Sequence, residues 1–265
     1  MTKEESRWRL GVVSFLNSRP LIAGLENDAS VELTFDVPSR LPALLEDGLV
    51  DAALVPVIDL LRDGRPTWRV ISDACIGCDG ETLTVRVFSR VPPEKIRRLH
   101  VDGDSHTSVA LADLLWRETY GRRLTIVPFV DDNRADTEAV LLIGDKVVTR
   151  RLIDFDIQTD LGQAWKSLTG LPFVFAVWAS SKSGRGVDAL AERLSGARDI
   201  GVRTAEMIAE DLAPGMGWPV TLAKRYLTTR LKFHLGPRQR LGMTRFFELA
   251  RRHEIIPAAG DAVFV

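Results

Sequence analysis

Small neutral polar side chains follow the first apolar segment of the chain. Residues 9–13 predict a buried strand, and Ser14, Asn17 and Ser18 come directly after it. In open α/β sheets, ligands bind just beyond the carboxyl ends of strands. Pro20 suits the first turn of a following helix, where its missing N–H is no loss. Asn17 and Ser18 are therefore predicted either to cap that helix or to contact a ligand, and this stretch alone leaves both open.

A second polar stretch, residues 104–108, follows a predicted strand and begins a predicted helix. Ser105, Thr107 and Ser108 bring three hydroxyls to a place where backbone N–H groups are also unpaired. Such a helix start attracts anions, a carboxylate as well as a phosphate. One hydroxyl would be enough for a cap, so we favour ligand binding here. We interpret His106 as a polar wall of this site rather than a catalytic base.

Two further positions are weaker candidates. Thr84 lies in an otherwise apolar strand, where by its own pattern it is an ordinary β-branched residue. Gly144 and Asp145 end a predicted buried strand, and Asp145 could orient backbone or ligand, although a turn role is more common. The sequence shows no phosphate-binding loop, dinucleotide fingerprint, nucleophile elbow or zinc-protease motif. Any catalysis must therefore depend on positioning and hydrogen bonding more than on a strong protein base.

Composition restricts the class of protein. The 265 residues are 45% hydrophobic and carry a net charge of −1, without the clustered basic surface that nucleic-acid binding needs. Residues 1–9 are charged and lack the apolar core of a signal peptide, and no apolar run is long enough to span a membrane. We therefore expect a cytoplasmic protein. Cys75 and Cys78 have the spacing of a redox pair or half a zinc site, but we favour two unpaired thiols beside a turn at Gly77.

The order of predicted elements indicates an α/β protein of two lobes. Strands and helices alternate up to a strand over residues 82–89, and Pro92 and Pro93 then predict a crossing into a second strand–helix series. Residues 173–179 are apolar enough for a strand buried on both faces, which we interpret as the return strand. The expected lobes are residues 1–89 with 180–265, and residues 90–179, around a central cleft suited to a small ligand. The last segments predict helices that pack on the first lobe, and they leave a homodimer open.

Several of these stretches, taken in order, resemble the chorismate dehydratases of the futalosine route to menaquinone. The resembling segments are residues 13–21, 80–89, 105–109, 142–145, 160–162 and 169–176, together with Trp165. The resemblance implies the type 2 periplasmic-binding-protein fold. It also implies loss of water from chorismate to give 3-[(1-carboxyvinyl)oxy]benzoate, a hydro-lyase reaction without a redox or metal cofactor.

By the same resemblance, the family's active-site asparagine falls on Asn17 and its active-site serine falls on Thr84. Threonine in place of serine at residue 84 keeps the hydroxyl and adds a methyl group. The family commonly has arginine where this chain has His106, so a charge-based carboxylate contact is not expected there. The substrate contacts are expected from Ser14, Ser18, Ser105, His106, Thr107, Ser108, Gly144 and Asp145.

Three alternatives remain at this point. The sister enzyme, a 1,4-dihydroxy-6-naphthoate synthase, shares the fold but has a different opening motif. A binding protein for small carboxylates would use the same cleft without catalysis. A ligand-sensing domain of a transcription regulator would need a helix-turn-helix segment, for which the residues before Leu10 leave no room.

Overall fold

The computed structural model describes residues 7–61, 68–130, 137–150, 155–258, 260 and 262–264, so the charged residues 1–6 lie outside it. The strands are β1 Trp8–Val13, β2 Val31–Asp36, β3 Ala52–Pro56, β4 Arg69–Cys78, β5 Val85–Ser89, β6 Arg98–Val101, β7 Thr125–Pro128, β8 Ala139–Ile143, β9 Ile157–Asp160, β10 Phe173–Ser180, β11 Leu231–His234 and β12 Val263–Phe264. The α-helices are α1 Leu41–Glu46, α2 His106–Tyr120, α3 Lys146–Thr149, α4 Leu161–Thr169, α5 Arg185–Arg203, α6 Ala205–Leu212, α7 Val220–Arg225 and α8 Pro237–Arg252. Short 3₁₀-helices cover Leu16–Ile22, Val57–Leu61 and Pro93–Lys95, and a π-helix covers Tyr226–Arg230.

The first sheet has the order β11-β4-β10-β3-β1-β2, with β12 beside β4. Strand β1 is parallel to β2 and β3, as the βαβα order predicts, whereas β10 and β11 run antiparallel to their neighbours. All five residues of β3 are buried, which suits a strand covered on both faces. We call the part of the chain built on this sheet lobe 1.

The second sheet has the order β7-β6-β8-β5-β9, and we call the part built on it lobe 2. Strand β6 is parallel to β7 and β8, while β5 is antiparallel to both β8 and β9. All five residues of β8 are buried at the centre of the sheet. Both sheets are therefore mixed, although the alternation of strands and helices indicated parallel pairing.

The sheets place both crossings between the lobes earlier than the sequence indicated. Strand β5 belongs to the second sheet, so the first crossing falls between Cys78 and Val85 rather than at Pro92 and Pro93. Strand β10 belongs to the first sheet, between β3 and β4, and the chain returns before Phe173. Pro92 and Pro93 lie in a loop inside lobe 2, between β5 and β6, and do not mark a boundary between the lobes. Strand β10 is buried on both faces because it lies inside the first sheet, between β3 and β4.

The turn predicted at Gly77 is wrong, because β4 continues through Cys75, Ile76 and Gly77 to Cys78. A Cβ atom on Gly77 would lie 2.7 Å from the backbone oxygen of Phe173 in the adjacent strand. Glycine therefore permits close strand approach here and does not make a turn. Both thiols are buried and free, and burial raises the pKa of Cys75 to about 12.

The C-terminal helices pack on lobe 1, as expected. Helix α5 lies against β4 and against the 3₁₀-helix Leu16–Ile22 that follows β1. A Cβ atom on Gly201 would lie 1.9 Å from the backbone oxygen of Pro20, so only glycine allows this approach. The helix thus supports the first polar turn from behind. Among the described residues, no helix is both long enough and apolar enough to cross a bilayer.

Candidate functional site

A cavity of about 40 Å³ lies between the two sheets, at the ends of β1, β3 and β8 and beside the middle of β10. Its walls are mostly apolar, and the polar groups on it are Asn17, Thr82, Thr84, Ser105, Ser108 and Tyr226. No charged side chain is among the described residues that line it. An apolar cavity with a few converging polar groups is the usual form of a small-molecule site.

The first polar turn presents Asn17 to this cavity. Ser18 is fully buried and donates its hydroxyl to the backbone oxygen of Val13 at 2.5 Å, which closes the turn after β1. The 3₁₀-helix has Phe15 at its N-cap and no capping side chain, so neither Asn17 nor Ser18 is a cap. The Oδ1 atom of Asn17 is buried and has no hydrogen-bond partner in the described part of the chain. Between the two roles that the sequence left open, this geometry favours a ligand contact for Asn17 and a local structural role for Ser18.

Thr84 is paired with a tyrosine that the sequence analysis did not identify. Its Oγ1 lies 2.6 Å from the hydroxyl oxygen of Tyr226, and both side chains are almost completely buried. The Tyr226 ring stacks on Trp218 at a centroid distance of 5.0 Å. Burial raises the pKa of Tyr226 well above its ordinary range, although its neighbours Thr84 and Asn17 act to lower it. The phenol is therefore neutral at physiological pH.

The backbone before Thr84 is strained and firmly held. Leu83 has a φ of +73°, which costs a residue with a side chain about 1–3 kcal/mol. The two carboxylate oxygens of Asp160 accept hydrogen bonds from the backbone N–H groups of Thr82 at 3.0 Å and Leu83 at 2.8 Å. Asp160 also caps α4 by accepting from the N–H of Gln163. Strain retained by such a clamp is typical of a functional position.

At the start of α2, Ser105 and Ser108 line the cavity, whereas His106 and Thr107 are not on its described wall. Ser105 caps the helix by accepting from the N–H of Ser108 at 3.1 Å, and the two hydroxyls are 2.9 Å apart. The hydroxyl of Thr107 accepts from the N–H of Ile58 in lobe 1. His106 Nδ1 lies 2.8 Å from the carboxylate of Asp59, a partner 47 residues away that no sequence pattern indicates. Thr107 and His106 therefore join the lobes.

Gly144 and Asp145 also act between the lobes. Gly144 lines the cavity with a φ of +62°, and a Cβ atom there would lie 2.4 Å from a ring carbon of Phe15. The Asp145 carboxylate accepts from the N–H of Leu16 at 3.2 Å and from the indole N–H of Trp218 at 3.0 Å. Burial raises the pKa of Asp145, against these hydrogen bonds. Asp145 thus orients backbone and an aromatic ring instead of lining the cavity.

The predicted site residues therefore separate into two groups. The structure brings Asn17, Thr84, Ser105, Ser108 and Gly144 together on the cavity wall. The described cavity wall does not include Ser14, Ser18, His106, Thr107 or Asp145.

Tyr226 and Trp218 were missed because each lies in or beside a predicted helix, with no motif around it.

The backbone N–H of the half-buried Ser14 donates to the backbone oxygen of Asp36, which continues the pairing of β1 with β2.

Comparisons with known proteins identify the family. A family model described as menaquinone biosynthesis matches residues 8–252. The chain is 28% identical over 264 residues to a chorismate dehydratase from Thermus thermophilus, which covers 90% of this chain and 93% of that protein.

Solved structures show the fold. A protein from Archaeoglobus fulgidus is similar with a TM-score of 0.74 at 14% identity, over 96% of this chain and all of that one. The alkanesulfonate-binding protein from Xanthomonas axonopodis pv. citri is similar with a TM-score of 0.63 at 14% identity, over 95% of this chain and 94% of that one. The fold is accordingly the α/β periplasmic-binding-protein type that the sequence indicated.

Proposed function

The chain belongs to the menaquinone biosynthesis family, and we propose that it is a chorismate dehydratase, a hydro-lyase that converts chorismate to 3-[(1-carboxyvinyl)oxy]benzoate. One observation carries the proposal at this site: the unpartnered Oδ1 of Asn17 and the hydroxyl of Thr84 meet in one buried, uncharged cavity. The named activity of the Thermus thermophilus relative supports the same reaction. The cytoplasmic location and the homodimer remain predictions.

The polar groups of this cavity suit the chemistry of chorismate, although a cavity of about 40 Å³ must widen before a molecule of that size can enter. The substrate has two carboxylates and a ring hydroxyl, and loss of water makes the ring aromatic. A ring C–H bond and the C–O bond of the hydroxyl break, a C=C bond forms, and water leaves. The net change transfers no electrons to or from an external acceptor, so the reaction needs no redox cofactor. The protein's contribution is to hold the ring in a reactive geometry and to stabilise charge as it develops.

Named residues supply these functions in the proposal. Asn17 and Thr84 hydrogen-bond around the reacting centre, and Ser105 and Ser108 at the start of α2 hold a substrate carboxylate. With no protein base on the described cavity wall, a substrate carboxylate takes the proton from the ring carbon. His106 and Asp145 support closure of the lobes in this scheme, because their polar atoms are engaged between the lobes.

The decisive experiment is incubation of the purified protein with chorismate, followed by absorbance and mass spectrometry. We expect the aromatic product from the wild type and about 10²–10³-fold slower turnover from Asn17→Ala, since a lost transition-state hydrogen bond has effects of this size. Asn27→Ala is the matched control, because Asn27 is exposed and lies outside the cavity wall. Its turnover should equal that of the wild type, and both variants should unfold at the wild-type temperature.

Other outcomes would favour the alternatives. Chorismate that binds and returns unchanged would support a non-catalytic carboxylate-binding protein. Chorismate that neither binds nor reacts would favour the sister 1,4-dihydroxy-6-naphthoate synthase. Near-normal turnover of Asn17→Ala would contradict the role given to this residue.

A further inference from the structure

Tyr226 lines the cavity and is tightly packed. It begins the π-helix Tyr226–Arg230, a rare backbone form that is frequent at functional sites. Its ring is 1% exposed and stacks on Trp218, with an angle of 20° between the ring planes. The indole of Trp218 is held in turn by its hydrogen bond to Asp145. The phenol oxygen therefore has a fixed position relative to the cavity.

The hydrogen-bonding directions around that oxygen can be worked out from the donors present. The Tyr226 hydroxyl and the Thr84 hydroxyl have one hydrogen each, and their oxygens are 2.6 Å apart. A phenol, with an ordinary pKa of about 10, is the stronger donor of the two. This difference in acidity favours donation from the Tyr226 hydroxyl to Thr84 Oγ1.

The Asn17 side chain lies on the same cavity wall as Thr84 and Tyr226. Its Oδ1 atom is buried with no hydrogen-bond partner in the described structure. This arrangement leaves two free ends on the cavity wall, the hydrogen of Thr84 and the Oδ1 acceptor of Asn17.

We propose that Tyr226 is a positioning residue that turns the hydroxyl hydrogen of Thr84 toward the reacting centre. Because Thr84 Oγ1 accepts from Tyr226, its own hydrogen points into the cavity, beside the Asn17 acceptor. One donor and one acceptor together match a hydroxyl group, which is the group that leaves in the dehydration. This inference rests on the proposed function for the identity of that hydroxyl.

In the reaction, Thr84 donates a hydrogen bond and no proton. The C–O electron pair goes to the departing oxygen, the ring C–H pair forms the new C=C bond, and the proton removed from the ring ends on the departing oxygen as water. Neither Tyr226 nor Thr84 changes its protonation state. The phenol remains neutral through the physiological range, so Tyr226 stays a donor throughout.

A double-mutant cycle tests whether Tyr226 acts through Thr84. We expect Tyr226→Phe to lower kcat about 10–100-fold with KM changed less than about 3-fold, because misplacing a catalytic group costs rate more than binding. Thr84→Val should lower kcat about 10²–10³-fold, and adding Tyr226→Phe to it should change nothing further. Tyr120→Phe is the control, since the chain has two tyrosines and Tyr120 is 40% exposed. Independent, multiplying effects, or wild-type activity in Tyr226→Phe, would overturn the proposal.

Raman spectroscopy of the tyrosine doublet tests the same assignment without using activity. In Tyr120→Phe the one remaining tyrosine is Tyr226, so its doublet reports directly whether that hydroxyl donates or accepts. We expect a strong donor, and we expect loss of that signature when Thr84→Val is added. An acceptor signature, or one that Thr84→Val leaves unchanged, would overturn the inference. If the wild type does not dehydrate chorismate, the proposed function fails while this measurement still decides the role of Tyr226.

Discussion

Asp160 offers the sharpest test of how the fold positions Thr84. One carboxylate oxygen accepts from Thr82 N and Gln163 N, and the other accepts from Leu83 N at 2.8 Å. In Asp160→Asn, one carbonyl oxygen remains and the new NH₂ group faces a backbone N–H. A buried donor left without a partner costs about 1–3 kcal/mol. Burial of the charged Asp160 carboxylate is itself unfavourable and raises its pKa. Removal of that charge therefore offsets part of the stability lost with the hydrogen bond.

The expected loss of stability is therefore about 1–3 kcal/mol, which lowers Tm by roughly 2–10 °C for a chain of this size. The effect on catalysis should be larger in proportion. Without its clamp, Leu83 can leave its left-handed conformation, and Thr84 moves with it. A displacement of about 1 Å costs about 10²-fold in rate. Steady-state kinetics with chorismate and thermal unfolding together measure both effects.

Two further variants make the result specific. Asp79→Asn removes an exposed carboxylate four residues before Leu83 and should change stability by less than about 0.5 kcal/mol. Leu83→Gly in the Asp160→Asn background relieves the left-handed strain, so it should recover part of kcat. Turnover within about 2-fold of the wild type in Asp160→Asn alone would refute the link between the clamp and Thr84.

Two other predictions concern closure and pH. Gly144→Ala should reduce turnover and stability more than Gly121→Ala does, as measured by kinetics and thermal unfolding. Both glycines have φ near +60°, but only at Gly144 would a Cβ atom clash with the Phe15 ring. Equal effects of the two substitutions would contradict this account. Burial alone would raise the pKa of Asp51, but hydrogen bonds from Arg9 and a neighbouring lysine outweigh it and lower the pKa to about 2. Asp51 therefore stabilises the fold above pH ~4, and this contribution is lost as the pH falls toward ~2. With partly exposed cations as partners, Asp51→Asn should cost about 1 kcal/mol at pH 7 and only a small fraction of that near pH 2 in urea unfolding; a cost independent of pH would contradict it.

Local sequence signals predicted the parts of the site that depend on neighbouring residues. The strand before Ser14, the helix that begins after Ser105 and the buried strand before Gly144 are all present. Each depends on hydrophobic period, capping chemistry or a turn residue within a few positions. The same kind of signal failed at Pro92, where a local loop resembled a boundary between lobes.

Long-range partners could not be predicted in this way. Thr84 meets Tyr226 across 142 residues, and His106 meets Asp59 across 47. These contacts follow from how two mixed sheets and a returning strand are arranged, which no single segment encodes. The family resemblance therefore indicated Asn17 and Thr84, which both line the cavity, while the position of Tyr226 beside Thr84 emerged only from the fold.

The placement of charge gives the site its chemical character. The nearby carboxylates of Asp145 and Asp160 are turned onto backbone N–H groups, and the described cavity wall holds only neutral groups. In such a low-dielectric space, fixed neutral dipoles stabilise developing charge without having to reorganise. A carboxylate base on the wall would instead repel a dicarboxylate substrate. A neutral cavity thus suits the proposed reaction, in which the substrate carries its own base and the protein holds the hydroxyl of Thr84 and the amide of Asn17 in fixed directions.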